Sequence, residues 1–285
     1  MKKTLLFLSV FLSANLFGQN VYIPDANFKA YLVGNSEINT NGDTEIQVSE
    51  ATAFDGSINC DFLNISDLTG IESFNALIFL VCSGNQLTSL DVSQNSALLN
   101  LECAGNQLTS LDLSQNIDLR GLDCHANQLT SLDVSQNVAL EWLECDFNQL
   151  TCLDVSQNTA LVEFNCESNQ LTCLDISNGN NINVFIFYAV DNPNLTCIEV
   201  DDAEYSSNNF YWTEGIDSQM YFSEDCNNDC DDDCDDPIVG INELTTTKNL
   251  IQILDMMGRE TSFKPNTPLI YVYDDGSIEK VFTIE

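Results

Sequence analysis

Five oxygen-bearing side chains in "NTNGDTEIQVSE", residues 39 to 50, fall at a spacing that can hold a cation. Asn39, Asn41, Asp43, Glu45 and Glu50 take positions 1, 3, 5, 7 and 12 of a twelve-residue calcium loop, with Ile46 at the apolar eighth. Alternate residues of a curled loop aim oxygens at one centre, and the glutamate at the twelfth position closes it with both oxygens. Two positions depart from that pattern: Asn39 stands where aspartate is usual, and Thr44 where glycine permits the sharp turn, with Gly42 nearby. The spacing points to a calcium site of the weak extracellular kind; a polar turn is the alternative.

Other chemistry is sparse. The single histidine, His125, sits beside acids in the pattern of a surface residue rather than a base. There is no glycine-rich phosphate loop and no histidine cluster for zinc. Carboxylates are plentiful, but in regular rows they read as a solvated face rather than as the tuned pair of a glycosidase. A binding or structural protein is expected, not an enzyme, and a carbohydrate hydrolase is the weakest of the readings.

Charge narrows the partners. Forty-four Asp and Glu face eight Lys and Arg. Nucleic acid and anionic membrane both require a basic footprint, so neither fits. Residues 1–19, with Lys2 and Lys3 ahead of "TLLFLSVFLSANLF", read as a secretory signal peptide, and no transmembrane segment follows. The expected location is secreted or on the outer cell surface.

The elements that must carry any surface come from a repeat. Cys82, Cys103, Cys124, Cys145 and Cys166 recur at one constant interval, and Cys60 precedes the first of them by nearly the same step. A fixed period of this size marks a solenoid. In "LNLECA", Leu101 and Cys103 alternate with Asn100, Glu102 and Ala104, the period of a half-buried strand, so one strand per coil would stack into a parallel sheet. Leu90 and Val92, alternating with Ser89, Asp91 and Ser93, suggest a second extended segment on the opposite side. Asn85, Asn106, Asn127, Asn148 and Asn169 fall at the corners, where a buried amide can pair with the backbone of adjacent coils.

The unit L-x-x-L-x-C-x-x-N-Q-L-T-S-L-D-V-S-Q-N resembles the leucine-rich repeat, with Cys in place of its third leucine, over roughly residues 56 to 200. The fold class expected is mainly β: a leucine-rich-repeat solenoid with a parallel sheet, a short N-terminal helical cap and a small C-terminal β domain. The divisions expected are 20–55 for the N-terminal cap, where Phe28, Tyr31 and Leu32 share one helix face, 56–200 for the repeats, and 201–239 for a C-terminal cap and acidic linker.

Twelve cysteines in an exported chain suggest disulfides, but the six at L-x-C point into the core and read as buried free thiols. Cys152, Cys173 and Cys197, at the serine position of "TSL" on the outer side, and Cys226, Cys230 and Cys234, in "DCNNDCDDDCDD", are the disulfide candidates. Cys197 with Cys226 is the favoured pair, since the two bracket the stretch that would cap the last coil.

Residues 240–285 gather Lys248, Arg259, Lys264 and Lys280 and read as strands "LIQILDM", "LIYVYDD" and "IEKVFTI" with turns between. Through "ILDMMGRE", "KPNTPLIYVY" and "GSIEKVFTIE" this tail resembles the sorting domain of proteins exported by the type IX secretion system of Bacteroidota. That resemblance implies passage across the outer membrane and removal of the tail; a small β domain of the mature protein is the alternative.

Projected onto the sheet, the register puts Phe79, Glu102, Asp123, His125, Trp142, Glu144, Asp146, Glu163, Glu167 and Phe187 on the outward face. Glu102, Asp123 and Glu144 form an acidic column, and like charges on neighbouring strands repel. The face suits a protein or polymer of basic character, or one bridged by cations, bound by a monomer for interaction or adhesion. A spacer solenoid without a specific partner is the alternative.

Overall fold

The computed structural model describes residues 19–226 together with three strands of the tail, and the chain divides into two compact units, residues 1–237 and 238–285. In the first unit, α1 (Ala26–Gly34) and α2 (Val48–Ala53) precede the coils. Asp25 caps α1 by accepting from the amides of Asn27 and Phe28, and Gln47 with Glu50 forms a reciprocal capping box on α2. Phe28 and Leu32 of α1 are fully buried, and Tyr31 packs against the same cluster while its hydroxyl accepts from the Asn59 amide at 2.9 Å. The apolar face of the cap helix thus covers the first coil's core, as the sequence predicts.

Each coil then contributes a three-residue strand: β1 (Ser57–Asn59), β2 (Phe79–Val81), β3 (Asn100–Glu102), β4 (Gly121–Asp123), β5 (Trp142–Glu144), β7 (Glu163–Asn165) and β9 (Ile186–Tyr188). These seven pair in parallel and in that order. Their middle residues, Ile58, Leu80, Leu101, Leu122, Leu143, Phe164 and Phe187, stack in register in the core. On the opposite side, a second parallel sheet forms only in the later coils, from β6 (Cys152–Asp154), β8 (Cys173–Asp175), β10 (Cys197–Glu199) and β11 (Tyr221–Ser223), in the order β11-β10-β8-β6. In the earlier coils Leu90 and Val92 point inward as expected, without strand pairing.

Two columns of asparagine hold the corners. Asn106 donates to the carbonyls of Cys82, Cys103 and Ala104 at 3.1, 3.0 and 3.3 Å, and its Oδ1 accepts from the Leu87 amide at 3.0 Å. Asn127, Asn148 and Asn169 repeat the pattern. The structure adds a second column: Asn95, Asn116, Asn137 and Asn158, the last residue of each "SQN", donate into the preceding coil, as Asn116 does to Val92 and Asn95 at 3.1 and 2.9 Å. Their Oδ1 atoms are buried without a partner, so each amide satisfies two carbonyls and leaves one acceptor unmet. The residue before each corner asparagine has positive φ: it is glycine at Gly84 and Gly105, but Ala126, Phe147 and Ser168 in the next three coils. Phe147 there, at φ 51°, is the costliest substitute because its bulky side chain disfavours that region.

Cys60, Cys82, Cys103, Cys124, Cys145 and Cys166 are free and fully buried, in agreement with the sequence reading. Burial pushes their thiols up, that of Cys60 to about 12, so none forms the reactive thiolate at neutral pH. The open end of the solenoid is covered by α3 (Ala203–Asn208), α4 (Phe210–Thr213) and β11. Trp212 is fully buried there, its Nε1 donating to the Val184 carbonyl at 3.0 Å and its ring 4.8 Å from that of Phe187. The favoured Cys197–Cys226 disulfide is present, and ties this cap to β10.

The second unit shows β12 (Leu250–Asp255), β13 (Leu269–Tyr273) and β14 (Ile278–Val281) as an antiparallel sheet in that order. These are the three strands predicted from the tail.

A candidate acidic recognition face

The outward side chains of the seven-stranded sheet form rows fixed by the pairing register. Phe79, Asn100, Gly121, Trp142 and Glu163 follow one another across successive strands and lead to Ile186, while Val81, Glu102, Asp123, Glu144 and Asn165 lead to Tyr188. The predicted column Glu102, Asp123, Glu144 therefore lies on three successive strands. His125, Asp146 and Glu167 sit just beyond the strand ends, and Asp123 Oδ1 is 2.7 Å from His125 Nδ1.

Electrostatic crowding is visible in the carboxyls. Burial, with Asp123 and Asp61 adding repulsion, raises Glu102 above the usual carboxylate range. Glu144 is raised by burial and by Asp146, Asp123 and Glu163, against a hydrogen bond with Asn165. Asp146 is raised by burial and by Asp123, although His125 opposes this, and Glu167 by burial, Asp146 and Asp191. Acids with raised folded pKa values favour the fold most at low pH and lose that contribution as pH rises through those values.

Aromatic groups flank the acids. Phe79 is exposed, and Trp142 lies across Gly121 so closely that any side chain at 121 would collide with its indole. Glycine on β4 thus makes the floor on which Trp142 rests. Phe62 lies over Gly84 in the same way and is exposed, as are Phe147 and Tyr188.

Two predicted positions need correction. Phe187 is not on the face: it is 1% exposed, packed between Phe164 and Trp212. The step from Glu163 to Ile186 is longer than the regular steps before it, and the displaced register turns Ile186 and Tyr188 outward. Asp146 is at the predicted place but only 8% exposed, a buried acid rather than an open contact.

The predicted calcium loop is ordered by its own hydrogen bonds. Glu50 accepts from the amides of Thr40, Asn41 and Gln47 at 2.9, 3.1 and 3.0 Å and from the Thr40 hydroxyl, and these bonds hold its carboxyl below the usual range despite burial. Glu45 is paired with Lys29 at 2.7 Å. Asn39 Oδ1 accepts from Gly42, Asn41 Oδ1 from Asp43, and Asp43 from Glu45, Asn41 and Gln47. Each of the five predicted ligands has a side-chain oxygen facing a protein donor, and these bonds order the loop as a turn. Among the described residues no three His, Cys, Asp or Glu side chains converge to hold a metal ion. Thermal unfolding is expected to have the same midpoint in calcium and in chelator; a rise of several degrees in calcium would show that the loop reopens around the ion.

Cys152 and Cys173, expected on the outer side, are 6% and 3% exposed, and both are disulfide-bonded. Cys230 and Cys234 lie outside the described residues. Also among the described residues, no helix is long and apolar enough to cross a membrane.

No family model matches the chain. Over 78 residues it is 41% identical to Internalin J of Listeria monocytogenes serotype 4b, a stretch that is 27% of this chain and 8% of that relative's length. Among solved structures it is similar to the functional domain of InlJ from Listeria monocytogenes, which includes a cysteine ladder, with 28% identity, 64% of this chain and 52% of that one covered, and a TM-score of 0.47. An internalin, InlF, of the same species is 17% identical, with 74% and 72% covered and a TM-score of 0.48. With its in-register parallel strands, its asparagine corners and the sequence likeness in its repeats, the chain is a leucine-rich-repeat protein, similar over those repeats to an internalin.

Proposed function

We propose that this protein is an exported recognition module whose acidic, aromatic-flanked sheet binds a basic protein, or a polymer bridged by cations, at a cell surface or in its surroundings. The observation that carries this reading is the column Glu102, Asp123 and Glu144 on paired strands, where repulsion and burial raise Glu102 and Glu144. Such a column costs stability unless something positive meets it. Exposed Phe79 and Tyr188, with Trp142 on its glycine floor, supply the apolar anchors that acidic contacts alone lack. Solenoid sheets serve as extended binding surfaces because their positions repeat at fixed intervals. Export is supported by the signal-like residues 1–19, and residues 240–285 are read as the sorting tail.

The test is capture from the native surroundings on the immobilised chain, with calcium and with chelator, comparing the parent with the triple variant Glu102→Lys, Asp123→Lys, Glu144→Lys. Loss of the retained partner on charge reversal is the expected result. Equal capture by both chains would overturn the reading in favour of a spacer solenoid.

A further inference from the structure

Between β4 and β5 an aromatic ring and a group of carboxylates follow one another along the strands. Pairing sets Gly121 opposite Trp142 and Asp123 opposite Glu144, and the backbone bonds that continue past the strand ends set His125 opposite Asp146. Successive outward rows lie about 6.6 Å apart, two residues of extended chain. Trp142 has the first row to itself, because Gly121 has no side chain and the indole folds across that gap. One face of the ring rests on the β4 backbone, and the half-buried residue leaves the other to solvent.

The acids in the next two rows are unevenly satisfied. Asp123 Oδ1 faces the ring nitrogen and the amide of His125 at 2.7 and 3.1 Å, which leaves Oδ2 without a donor among the described residues. Glu144 has a hydrogen bond with Asn165. Asp146 is only 8% exposed, and among the described residues its carboxylate accepts from no group but its own amide. A carboxylate withdrawn from water is costly while it lacks a partner. The charge of Asp146 acts on both Glu144 and Glu167, so this buried acid lies within the outward group and not behind it.

We propose that this surface reads arginine: an extended, arginine-bearing segment of a partner protein lies along β4 and β5, with one guanidinium stacked on Trp142 and bonded to Asp123 and Glu144, and a second basic side chain two residues on meeting Asp146. The proposal rests on the recognition reading above and narrows it to one kind of partner.

Arginine fits this arrangement and lysine does not. A guanidinium is planar and weakly hydrated, so it lies on an indole while its N–H fork points within its own plane toward carboxylates one row away. An ammonium is a compact, strongly hydrated charge with no flat face. In an extended segment the side chains at i and i+2 share a face and stand about 6.6 Å apart, the same step that separates the rows of this sheet. Glu102 and Glu167 flank the group on the neighbouring strands and add to the field that a basic segment meets.

The chain has two tryptophans, and Trp212 is fully buried in the cap, so a ligand that stacks on the sheet is reported by Trp142. The full chain is titrated with octa-arginine and with octa-lysine in about 0.15 M salt, which screens attraction between distant charges. Octa-arginine is expected to bind about tenfold more tightly and to change the indole emission, whereas octa-lysine leaves the emission as it was. Trp142→Leu is expected to bring the two peptides within about twofold of each other. Asp146→Asn should weaken octa-arginine several-fold, while Asp112→Asn, at an exposed position on the opposite side of the solenoid, changes neither titration. Equal affinities in the parent chain, an emission that octa-arginine does not alter, or an arginine preference that survives Trp142→Leu would overturn the proposal. If Trp142→Leu does not fold, the emission of the parent chain still decides. The recognition reading is judged separately by capture on the charge-reversed chain: a partner lost there, with the two peptides undistinguished here, would keep the acidic face and remove arginine as what it reads.

Discussion

Replacing Asn127 with alanine is expected to cost about 3 to 5 kcal/mol of unfolding free energy, because one side chain there satisfies four backbone groups. Its Nδ2 donates to the carbonyls of Cys103, Cys124 and His125 at 3.0, 3.1 and 3.3 Å, and its Oδ1 accepts from the Leu108 amide at 3.0 Å. Alanine offers none of these, and at a buried corner water has little access to replace them. Each buried group left unmatched costs about 1 to 3 kcal/mol, with partial relaxation keeping the sum below full additivity. Against a typical domain stability of about 5 to 15 kcal/mol this is a large fraction. Coils contact mainly their neighbours, so a weakened corner in the middle of the stack should also reduce cooperativity and broaden or split the denaturant transition. The control is Gln128→Ala, one residue on, whose side chain is exposed; its transition should match the parent's. Equal midpoints for Asn127→Ala and Gln128→Ala would show that the asparagine column does not hold the corners.

Removing the aromatic plug at the other end should be comparably severe but local. Trp212→Ala is expected to cost about 3 to 5 kcal/mol, the range for deleting a large buried aromatic ring. The indole stands 4.8 Å from Phe187 and 5.7 Å from Phe222, and its loss also strips the Val184 carbonyl of its 3.0 Å donor. A solenoid end without its cap exposes the apolar stack of the last coil. Amide hydrogen exchange is the discriminating measurement. Faster exchange confined to β9, β10 and their neighbours, with β1 to β4 unchanged, is expected; uniform acceleration would mean that the cap is coupled to the whole stack.

Much of this architecture is readable from the chain alone, because its causes are local and repeated. An apolar residue at every second position dictates a half-buried strand, and repetition at a constant interval dictates that such strands stack, which places Leu101 over Leu122 and Glu102 beside Asp123. The free cysteine column follows from the same pattern, as does the Cys197–Cys226 bond from the two residues that bracket the cap. The second asparagine column, in the recurring "SQN", is not legible in the same way, because an exposed polar turn and a buried one look alike in sequence.

Tertiary structure decided the rest. The last coil is two residues longer than the regular interval, and its pairing sets Phe187 opposite Phe164, which puts Phe187 in the core against Trp212 rather than on the outward face. Spacing puts five oxygen-bearing side chains in one loop, but which protein donors each of them meets depends on what the fold brings near. For Glu50 these are the amides of Thr40, Asn41 and Gln47, and for Glu45 the ammonium of Lys29. Asp146 looks in sequence like its exposed neighbours and is buried by the packing around it. Periodicity determines which residues can share a face; only the packed chain, where one insertion or one nearby donor outweighs the pattern, determines which of them do.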